Sequence, residues 1–304
     1  MSIRYIDRQS KQEKEERIYG GFFLRILYGN RVIYRILSFF LLPLIARISF
    51  FSKIYGAFQK SRWSRSKIFP FVEKFEVDAL EFLDPLDSYR SFNDFFVRKL
   101  KPSCRPINPG NDVAILPADG RYLVFPNVEK STSFYVKGKK LTLEKLLGDR
   151  VLAHKYAQGT MVFARLSPVD YHRFHFLCNC VPEPARLING PLFSVNPMAL
   201  KRNIQILSEN KRMITFLHTK HFGTVLFIEV GATYVGSICQ TFAPGEHYAK
   251  GDEKGFFSFG GSSLILLFEP FRIELDRDLV ENTSKEIETR GLFGQSLGRA
   301  LSFD

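Results

Sequence analysis

The stretch Gly255-Phe256-Phe257-Ser258-Phe259-Gly260-Gly261-Ser262-Ser263 leads directly into the apolar run at residues 264–268. A Gly-Gly-Ser segment thus separates two short apolar segments, which is the pattern of a strand, a turn and a second strand. Its simplest interpretation is an ordinary hairpin turn, because glycine and serine are common turn residues. This stretch predicts one pair of strands in a β-rich core.

From about residue 111, the sequence around it follows the same pattern, in which short apolar or β-branched runs are separated by Gly, Pro, Asn or Asp. The predicted strands include residues 113–116, 122–125, 161–164, 224–230 and 263–268. Helical pieces are few, at residues 142–147 and 197–203. Because strands do not alternate regularly with helices, a mainly antiparallel core is favoured over a doubly wound parallel sheet.

The first part of the chain reads as helical and irregular. Its charged lead at residues 11–17 predicts the start of a first helix, and Ser91 followed by Asp94 predicts a capped helix further on. A breaker-rich stretch from Pro102 to Gly110 separates this part from the strands. The predicted fold class is α+β: a helical, membrane-associated N-terminal region followed by a mainly antiparallel β core with few helices.

The positive charge is concentrated at the N-terminus. The formal net charge is +12, and residues 1–70 hold 14 Lys/Arg against 4 Asp/Glu, which leaves only +2 for the remaining residues. Within this region, residues 36–46 form an apolar run between Arg35 and Arg47, and residues 48–51 continue it. Eleven uncharged residues are too few to span a bilayer, which needs about 20.

Apolar, Phe-rich clusters flanked by Arg and Lys are typical of helices that lie in a membrane interface. A pair of buried core helices is the alternative. The apolar stretch starts too late to be a cleavable signal peptide. We therefore predict that residues 1–70 form a basic, helical region that contacts an anionic membrane surface, and that residues 71–304 form the catalytic domain.

Three positions supply an acid, a base and a nucleophile. Asp119 lies in the turn Pro117-Ala118-Asp119-Gly120, His172 and His175 lie in Asp170-Tyr171-His172-Arg173-Phe174-His175-Phe176, and Ser262 follows two glycines. A serine near pH 7 needs a base, and a histidine base needs an acceptor that fixes its tautomer. Singly, each residue also has a structural explanation, as a turn aspartate or a hydrogen-bonded core histidine.

The glycine before Ser262 suggests a special reaction. Glycine tolerates a strained backbone that exposes its carbonyl, and the Ser262 hydroxyl can attack that carbonyl once a base removes its proton.

A zinc site is a weaker alternative, since His172, His175, Cys178 and Cys180 fall close together without a second ligand cluster. We predict no metal. Four cysteines in a chain of this length give no disulfide framework, so a reducing compartment is expected.

Four separate motifs resemble those of the phosphatidylserine decarboxylase family. They are Ala118-Asp119-Gly120, the Asp170–His175 segment, Val230-Gly231-Ala232 with Val235-Gly236-Ser237-Ile238, and Gly260-Gly261-Ser262-Ser263. Supporting matches are Phe95-Phe96-Val97-Arg98, residues 190–197, Asn210-Lys211-Arg212 and residues 250–255. The family's cleavage motif is often Leu-Gly-Ser-Thr. Because only Ser262 follows a glycine here, cleavage is assigned to Gly261–Ser262, with Ser263 as the less favoured alternative.

The resemblance implies a proenzyme that cuts itself by serinolysis. His175, held by Asp119, would deprotonate Ser262, whose Oγ attacks the Gly261 carbonyl. The products would be a large β chain, 1–261, and a small α chain, 262–304, which stay associated as a heterodimer. Ser262 would become a covalent pyruvoyl group, the implied cofactor.

The same resemblance implies the reaction and its place in the cell. The pyruvoyl ketone would form a Schiff base with the amine of phosphatidylserine and accept electrons as CO2 leaves, giving phosphatidylethanolamine. His172 would handle the proton that replaces the carboxylate, although the roles of His172 and His175 can be reversed. The enzyme would be a carboxy-lyase of phospholipid biosynthesis, peripheral to the cytoplasmic face of a cell membrane, with no nucleic-acid partner.

Two function classes compete with this prediction. One is a non-enzymatic peripheral membrane protein that binds anionic lipid through its basic end, in which replacing Ser262 has no effect on binding. The other is a serine hydrolase that uses Asp119, His175 and Ser262 on an external ester, in which the chain stays intact and Ser262 reacts with a phosphonate.

Overall fold

A computed structural model describes residues 3–16, 26–27, 49–130, 135–136, 139–232, 238–259 and 262–301. The apolar run at residues 36–46 and the two glycines before Ser262 lie outside the described residues. The Val235-Gly236-Ser237 part of the third motif lies outside them as well.

Strands provide most of the described secondary structure, which confirms the mixed α+β class and the predominance of β-sheet. They are β1 (Arg4–Asp7), β2 (Glu13–Glu15), β3 (Val113–Ile115), β4 (Gly120–Phe125), β5 (Tyr135–Val136), β6 (Lys139–Lys140), β7 (Thr160–Leu166), β8 (Arg173–His175), β9 (Cys180–Pro182), β10 (Arg186–Ile188), β11 (Arg212–Thr219), β12 (Thr224–Gly231), β13 (Ile238–Gln240), β14 (Glu253–Phe257), β15 (Ser262–Phe268), β16 (Ile273–Leu275), β17 (Glu288–Gly291) and β18 (Ser296–Ala300). All five predicted strand runs are confirmed.

The helices are short. They are α1 (Ser49–Lys60), α2 (Ile68–Phe75), α3 (Phe92–Phe96), α4 (Leu143–Leu147), α5 (Arg150–Tyr156), α6 (Pro197–Leu200), α7 (Ile206–Glu209) and α8 (Arg277–Ser284), with 3-10 turns at Arg62–Lys67, Ala79–Glu81, Leu86–Ser88 and Pro102–Cys104. The predicted cap is confirmed, because the Ser91 hydroxyl accepts a hydrogen bond from the Asp94 backbone N–H at the start of α3. No helix among the described residues is both long and apolar enough to cross a bilayer.

A large sheet forms the centre of the molecule. Its strand order is β10-β11-β12-β15-β7-β4-β17-β1-β2, with β9 also pairing with β11. The central strands β12, β15, β7 and β4 are antiparallel to one another, and β1 pairs in parallel with β17. A three-stranded sheet, β13-β14-β8, accompanies it, and a second small sheet is built from β16, β18 and β3.

The two faces of the large sheet bury different sets of side chains, because neighbouring residues of a strand point to opposite faces. Ile265 and Leu267 of β15 pack with residues from α4 to α7. Leu264 and Leu266 pack on the other face with Phe174 of β8 and Phe257 of β14. Strand β15 is therefore covered on both faces, which explains its uninterrupted apolar sequence.

The N-terminal segment differs from the prediction. Residues 4–15 form the β1–β2 hairpin rather than the start of a helix, and β1 pairs with β17 near the other end of the chain. The buried Glu16 carboxylate, whose Oε2 lies 2.6 Å from an Arg165 nitrogen, helps to hold the segment there. These contacts span most of the sequence, so the local charge pattern gave no sign of them. Helix α1 lies within the region predicted to be helical.

An aromatic cluster joins the helical part to the β core. Phe71 of α2 contacts the rings of Phe92 and Phe95 of α3. The Phe259 ring, three residues before Ser262, lies 5.0 Å from Phe96 and 5.2 Å from Phe92 between ring centroids. The helices thus pack directly on the segment that precedes Ser262.

Candidate active site around Ser262

Ser262 begins β15 in the middle of the large sheet. It lies opposite Leu166 of β7 and Gly231 of β12, and it is fully buried. Its Oγ has no hydrogen-bond partner among the described residues. A buried hydroxyl without a partner is costly, so such groups in native structures require an explanation. The Ser263 Oγ is likewise buried without a partner, so the orientation of the two side chains has to distinguish them.

The alternation along β15 separates Ser262 from Ser263. Ser262 shares a face with Leu264, whose side chain packs toward the β13-β14-β8 sheet. Ser263 lies opposite Val230 and Arg165 and points to the other face. Since His172 directly precedes β8 and His175 ends it, only Ser262 of the two serines faces the histidine-bearing layer.

His172 is buried directly before β8. Its Nδ1 donates a hydrogen bond to the Asp170 carbonyl at 2.9 Å, and its Nε2 has no partner among the described residues. The Phe96 ring lies 3.8 Å from the imidazole between centroids. Burial lowers the pKa of His172 to about 3, so the ring is neutral at pH 7 with a free Nε2 lone pair.

The His175 side chain lies on the opposite face of β8 from that of His172. Its Nδ1 donates to the Gly251 carbonyl at 2.9 Å, and the Tyr171 hydroxyl donates to its Nε2 at 3.3 Å. Phe293 stacks on the imidazole with 3.7 Å between ring centroids. Burial lowers the pKa of His175 to about 4, and the Gly251 carbonyl opposes that shift. Both ring nitrogens are thus occupied in the uncut chain.

Asp119 directly precedes β4, and the segment that carries it is hydrogen-bonded to the backbone of His175. The His175 N–H donates to the Pro117 carbonyl, two residues before Asp119, at 2.8 Å. The Asp119 carboxylate accepts from the Phe293 N–H at 2.9 Å and from Arg105, whose Nη2 lies 2.7 Å from Oδ2. Phe293 therefore contacts both members of the predicted pair. Among the described residues, no hydrogen bond joins the Asp119 carboxylate to His175.

Sequence reasoning missed several charged residues around the site. Arg105 binds both Asp119 and Glu81, and its own pKa is raised because these carboxylates outweigh the effect of burial. The buried Arg121 pairs with Asp170, whose carbonyl holds His172. Asp170 was visible as part of its motif, but its arginine partner was not. Arg105 and Phe293 have no motif that could have identified them before the fold was known.

The described residues contain no group of three or more His, Cys, Asp or Glu side chains arranged to hold a metal ion. Cys178 and Cys180 are buried among apolar side chains, and burial raises the pKa of both thiols. Their environment is that of core residues.

Comparisons with known proteins agree with the motifs. Residues 92–299 match the sequence model of a family described as "Phosphatidylserine decarboxylase". A protein of Chlamydia pneumoniae named "Phosphatidylserine decarboxylase proenzyme" is 51% identical over 297 residues, covering 98% of this chain and 97% of that protein. A protein of the same name from Chlamydia felis (strain Fe/C-56) is 49% identical over 299 residues, covering 98% of both chains. The chain therefore belongs to the phosphatidylserine decarboxylase family.

Proposed function

We propose that this chain is a proenzyme that cuts itself between Gly261 and Ser262 and then decarboxylates phosphatidylserine to phosphatidylethanolamine. The single observation that carries the proposal is the direction of Ser262: directly after Gly260-Gly261, its buried Oγ faces the histidine-bearing layer, whereas the equally buried Oγ of Ser263 points to the other face. Full-length relatives named as proenzymes support the same reading.

The self-cleavage begins with the Ser262 hydroxyl. A neutral histidine removes its proton, Oγ bonds to the Gly261 carbonyl carbon, and the peptide C–N bond breaks, which leaves an ester and a free amine. Loss of the Ser262 Cα proton then breaks the Cβ–Oγ bond, so Oγ leaves with Gly261, which becomes the new C-terminal carboxylate, and residue 262 gains a Cα=Cβ double bond. The dehydrated residue 262 tautomerises and reacts with water, which releases ammonia and leaves a pyruvoyl group.

The site fits this group, because residue 262 is buried and its side-chain oxygen is not engaged elsewhere. A pyruvoyl group held at residue 262 would supply a ketone able to bind the substrate amine and to accept electrons as the carboxylate leaves. The chain's own residues exclude water and handle protons. His172, with Nδ1 fixed on the Asp170 carbonyl, presents Nε2 as the proton-handling atom.

The helices before the β core support a membrane location. Several of their apolar side chains are exposed, notably Trp63 (84%), Phe69 and Leu80 (79%). Lysines and arginines lie among them, and the Lys67 ammonium lies 4.4 Å from the Phe58 ring centroid. Exposed aromatic side chains mixed with basic ones suit the interface of an anionic bilayer. We expect peripheral attachment of this part to the cytoplasmic face of a cell membrane.

The test of cleavage is the denaturing mass of the purified wild-type chain and of the Ser262→Ala variant. The wild type should give two species, 1–261 and 262–304, with a pyruvoyl in place of the N-terminal serine of the small one. Ser262→Ala should remain a single uncut chain and release no CO2 from phosphatidylserine. Ser263→Ala is the matched control, since Ser263 faces away from the histidines, and it should be cut. An uncut, folded wild type would contradict the proposal.

The test of membrane attachment is cosedimentation with vesicles of phosphatidylcholine alone or with phosphatidylserine added. Binding should require the anionic lipid and weaken in Trp63→Ser. Leu187→Ser, a change of an exposed apolar residue on β10, is the control and should bind like the wild type. Equal sedimentation of the wild type with both vesicles would argue against an electrostatic membrane contact.

A further inference from the structure

Arg98 follows α3 and carries a buried charge without a carboxylate partner. The residue is only 4% exposed. Its Nη2 donates to the carbonyls of Val169 at 3.1 Å and Asp170 at 3.4 Å, and its Nη1 donates to the Phe95 carbonyl at 3.5 Å. Its Nε is buried and has no partner. Among the described residues, no acidic group lies within ion-pair distance of this guanidinium.

This arrangement is unusual because burying a charge is expensive unless it is paired and fully hydrogen-bonded. The buried arginines Arg105, Arg121 and Arg165 all form ion pairs with acidic side chains. Burial lowers the pKa of Arg98 to about 10, so it remains a cation at pH 7.

Arg212 shows what a purely structural buried arginine looks like in this fold. It forms no ion pair among the described residues, and burial lowers its pKa to about 10. However, its three nitrogens donate to the carbonyls of Leu146, Asn210 and Lys145 at 2.7, 2.9 and 2.7 Å. It therefore caps α4 with short bonds, whereas the bonds of Arg98 are long and incomplete.

Arg98 lies beside the candidate active site. The Asp170 carbonyl that accepts from Arg98 also accepts from Nδ1 of His172. The rings of Phe82 and Phe95 lie 4.9 Å from the guanidinium carbon, so aromatic rings neighbour the charged group while Nε keeps a free N–H. Phe82 precedes the exposed Leu83, so the segment that contacts the guanidinium also reaches the protein surface.

We propose that Arg98 binds an anionic group of the substrate headgroup and thereby positions it beside His172. The ligand chemistry is an oxyanion, either the serine carboxylate or the phosphodiester, because a guanidinium edge matches both. The inference rests on the proposed function and assigns a headgroup-binding residue to it.

The experiment uses self-cleaved Arg98→Gln and Arg98→Lys, with a water-soluble short-chain phosphatidylserine as substrate and short-chain phosphatidylethanolamine as product inhibitor. We expect Arg98→Gln to be cut normally and to raise KM about 10- to 100-fold, with a smaller change in kcat. Arg98→Lys should recover part of the loss, because it keeps the charge. Arg212→Gln is the matched control and should lower the Tm while leaving KM unchanged.

The inhibitor separates the two sources of negative charge, since phosphatidylethanolamine keeps the phosphate but lacks the carboxylate. A raised inhibition constant in Arg98→Gln identifies the phosphate as the ligand, and an unchanged one identifies the carboxylate. Unchanged KM in a cut, active Arg98→Gln enzyme overturns the inference. So does a failure of both Arg98 variants to be cut, which would assign the residue to folding or self-cleavage. Failure of the proposed function is distinct, because the wild type itself would then lack activity.

Discussion

At the scale of single residues, the two histidines differ in whether a ring nitrogen is free to accept a proton. The Nε2 of His172 is free, and this side chain lies on the same face of β8 as Phe174, which packs on the large sheet. Both ring nitrogens of His175 are hydrogen-bonded. The family resemblance assigns the cleavage base to His175, which requires its bond with Tyr171 to be exchanged. Their roles therefore stay a prediction that separate substitutions can decide.

From the family assignment we expect His175→Ala to remain uncut and His172→Ala to be cut but to decarboxylate poorly. The physical reason is that the first loses the base for Ser262 and the second loses the group that handles the product proton. Denaturing mass gives the cut fraction, and CO2 release gives the activity of the cut protein. The reverse pattern would make His172 the base, in keeping with its free Nε2.

Both histidines also predict a pH dependence of stability. Their folded pKa values of about 3 and about 4 lie below the ordinary value of 6.5. The unfolded chain therefore binds more protons than the folded one between these values, and stability is lost as pH falls below 6.5. Each histidine contributes at most about 1.4 kcal/mol per pH unit in that window.

The measurement is the free energy of unfolding of uncut Ser262→Ala between pH 7 and pH 5, with and without His172→Asn. The added substitution should reduce the loss of stability toward pH 5. His247→Asn, which removes an exposed histidine outside the candidate site, serves as the control. Equal slopes in all three proteins would contradict a buried, neutral His172.

At the scale of elements, α3 contacts the cleavage segment through a hydrogen bond as well as through the rings of Phe92 and Phe96. The Asn93 side-chain oxygen accepts from the Phe259 N–H at 2.9 Å. Asn93→Ala would leave that N–H without its partner, at a cost of about 1–2 kcal/mol. Because Phe259 lies three residues before Ser262, we expect self-cleavage to slow several-fold.

A time course of the cut fraction checks this expectation. Asn93→Asp keeps an acceptor oxygen and should be cut faster than Asn93→Ala. Asn203→Ala removes a comparable side-chain bond to the Gln205 N–H, far along the chain from Ser262, and should be cut at the wild-type rate. If the Asn93 and Asn203 alanine variants are cut equally fast, the Asn93 hydrogen bond does not position the segment.

The same elements show what the sequence can predict. The α3 cap and the apolar strands could be predicted because their signals are local, a serine three residues before an aspartate and uninterrupted apolar runs. The β1–β2 hairpin could not, since its short charged strands are fixed by pairing with β17. Likewise, motifs identified Ser262 and both histidines, but the neighbours Arg105 and Phe293 depend on the assembled fold.

At the scale of the whole molecule, the proposed small chain 262–304 contributes strands to the same large sheet as the large chain. Strand β15 lies between β7 and β12, and β17 lies between β4 and β1. Arg165 adds an ion pair to Glu288 across the proposed cut. Cleavage at residue 262 removes none of these contacts, so the two products should stay together until the protein unfolds.

Replacing Arg8 tests whether the N-terminal hairpin stabilises the small chain. Arg8 joins the N-terminal hairpin to Asp276 and Asp278 of the small chain, at 2.6 and 2.8 Å. Because the two acids are partly exposed, solvent screens the pairs, and we expect Arg8→Ala to cost about 1–2 kcal/mol. This corresponds to a Tm lowered by about 2–5 °C in the cut protein.

Arg4→Ala is the matched control, since the partner of Arg4 among the residues that the structure describes is the exposed Glu13 of the same hairpin. Its Tm should stay near that of the wild type, because an exposed ion pair contributes little. Size-exclusion chromatography of cut Arg8→Ala should still show both chains in one peak, since the β15 and β17 pairings remain. Equal Tm values for the two variants would mean that the hairpin does not stabilise the small chain. Separate elution of the chains would mean that the strand pairing alone does not hold them together.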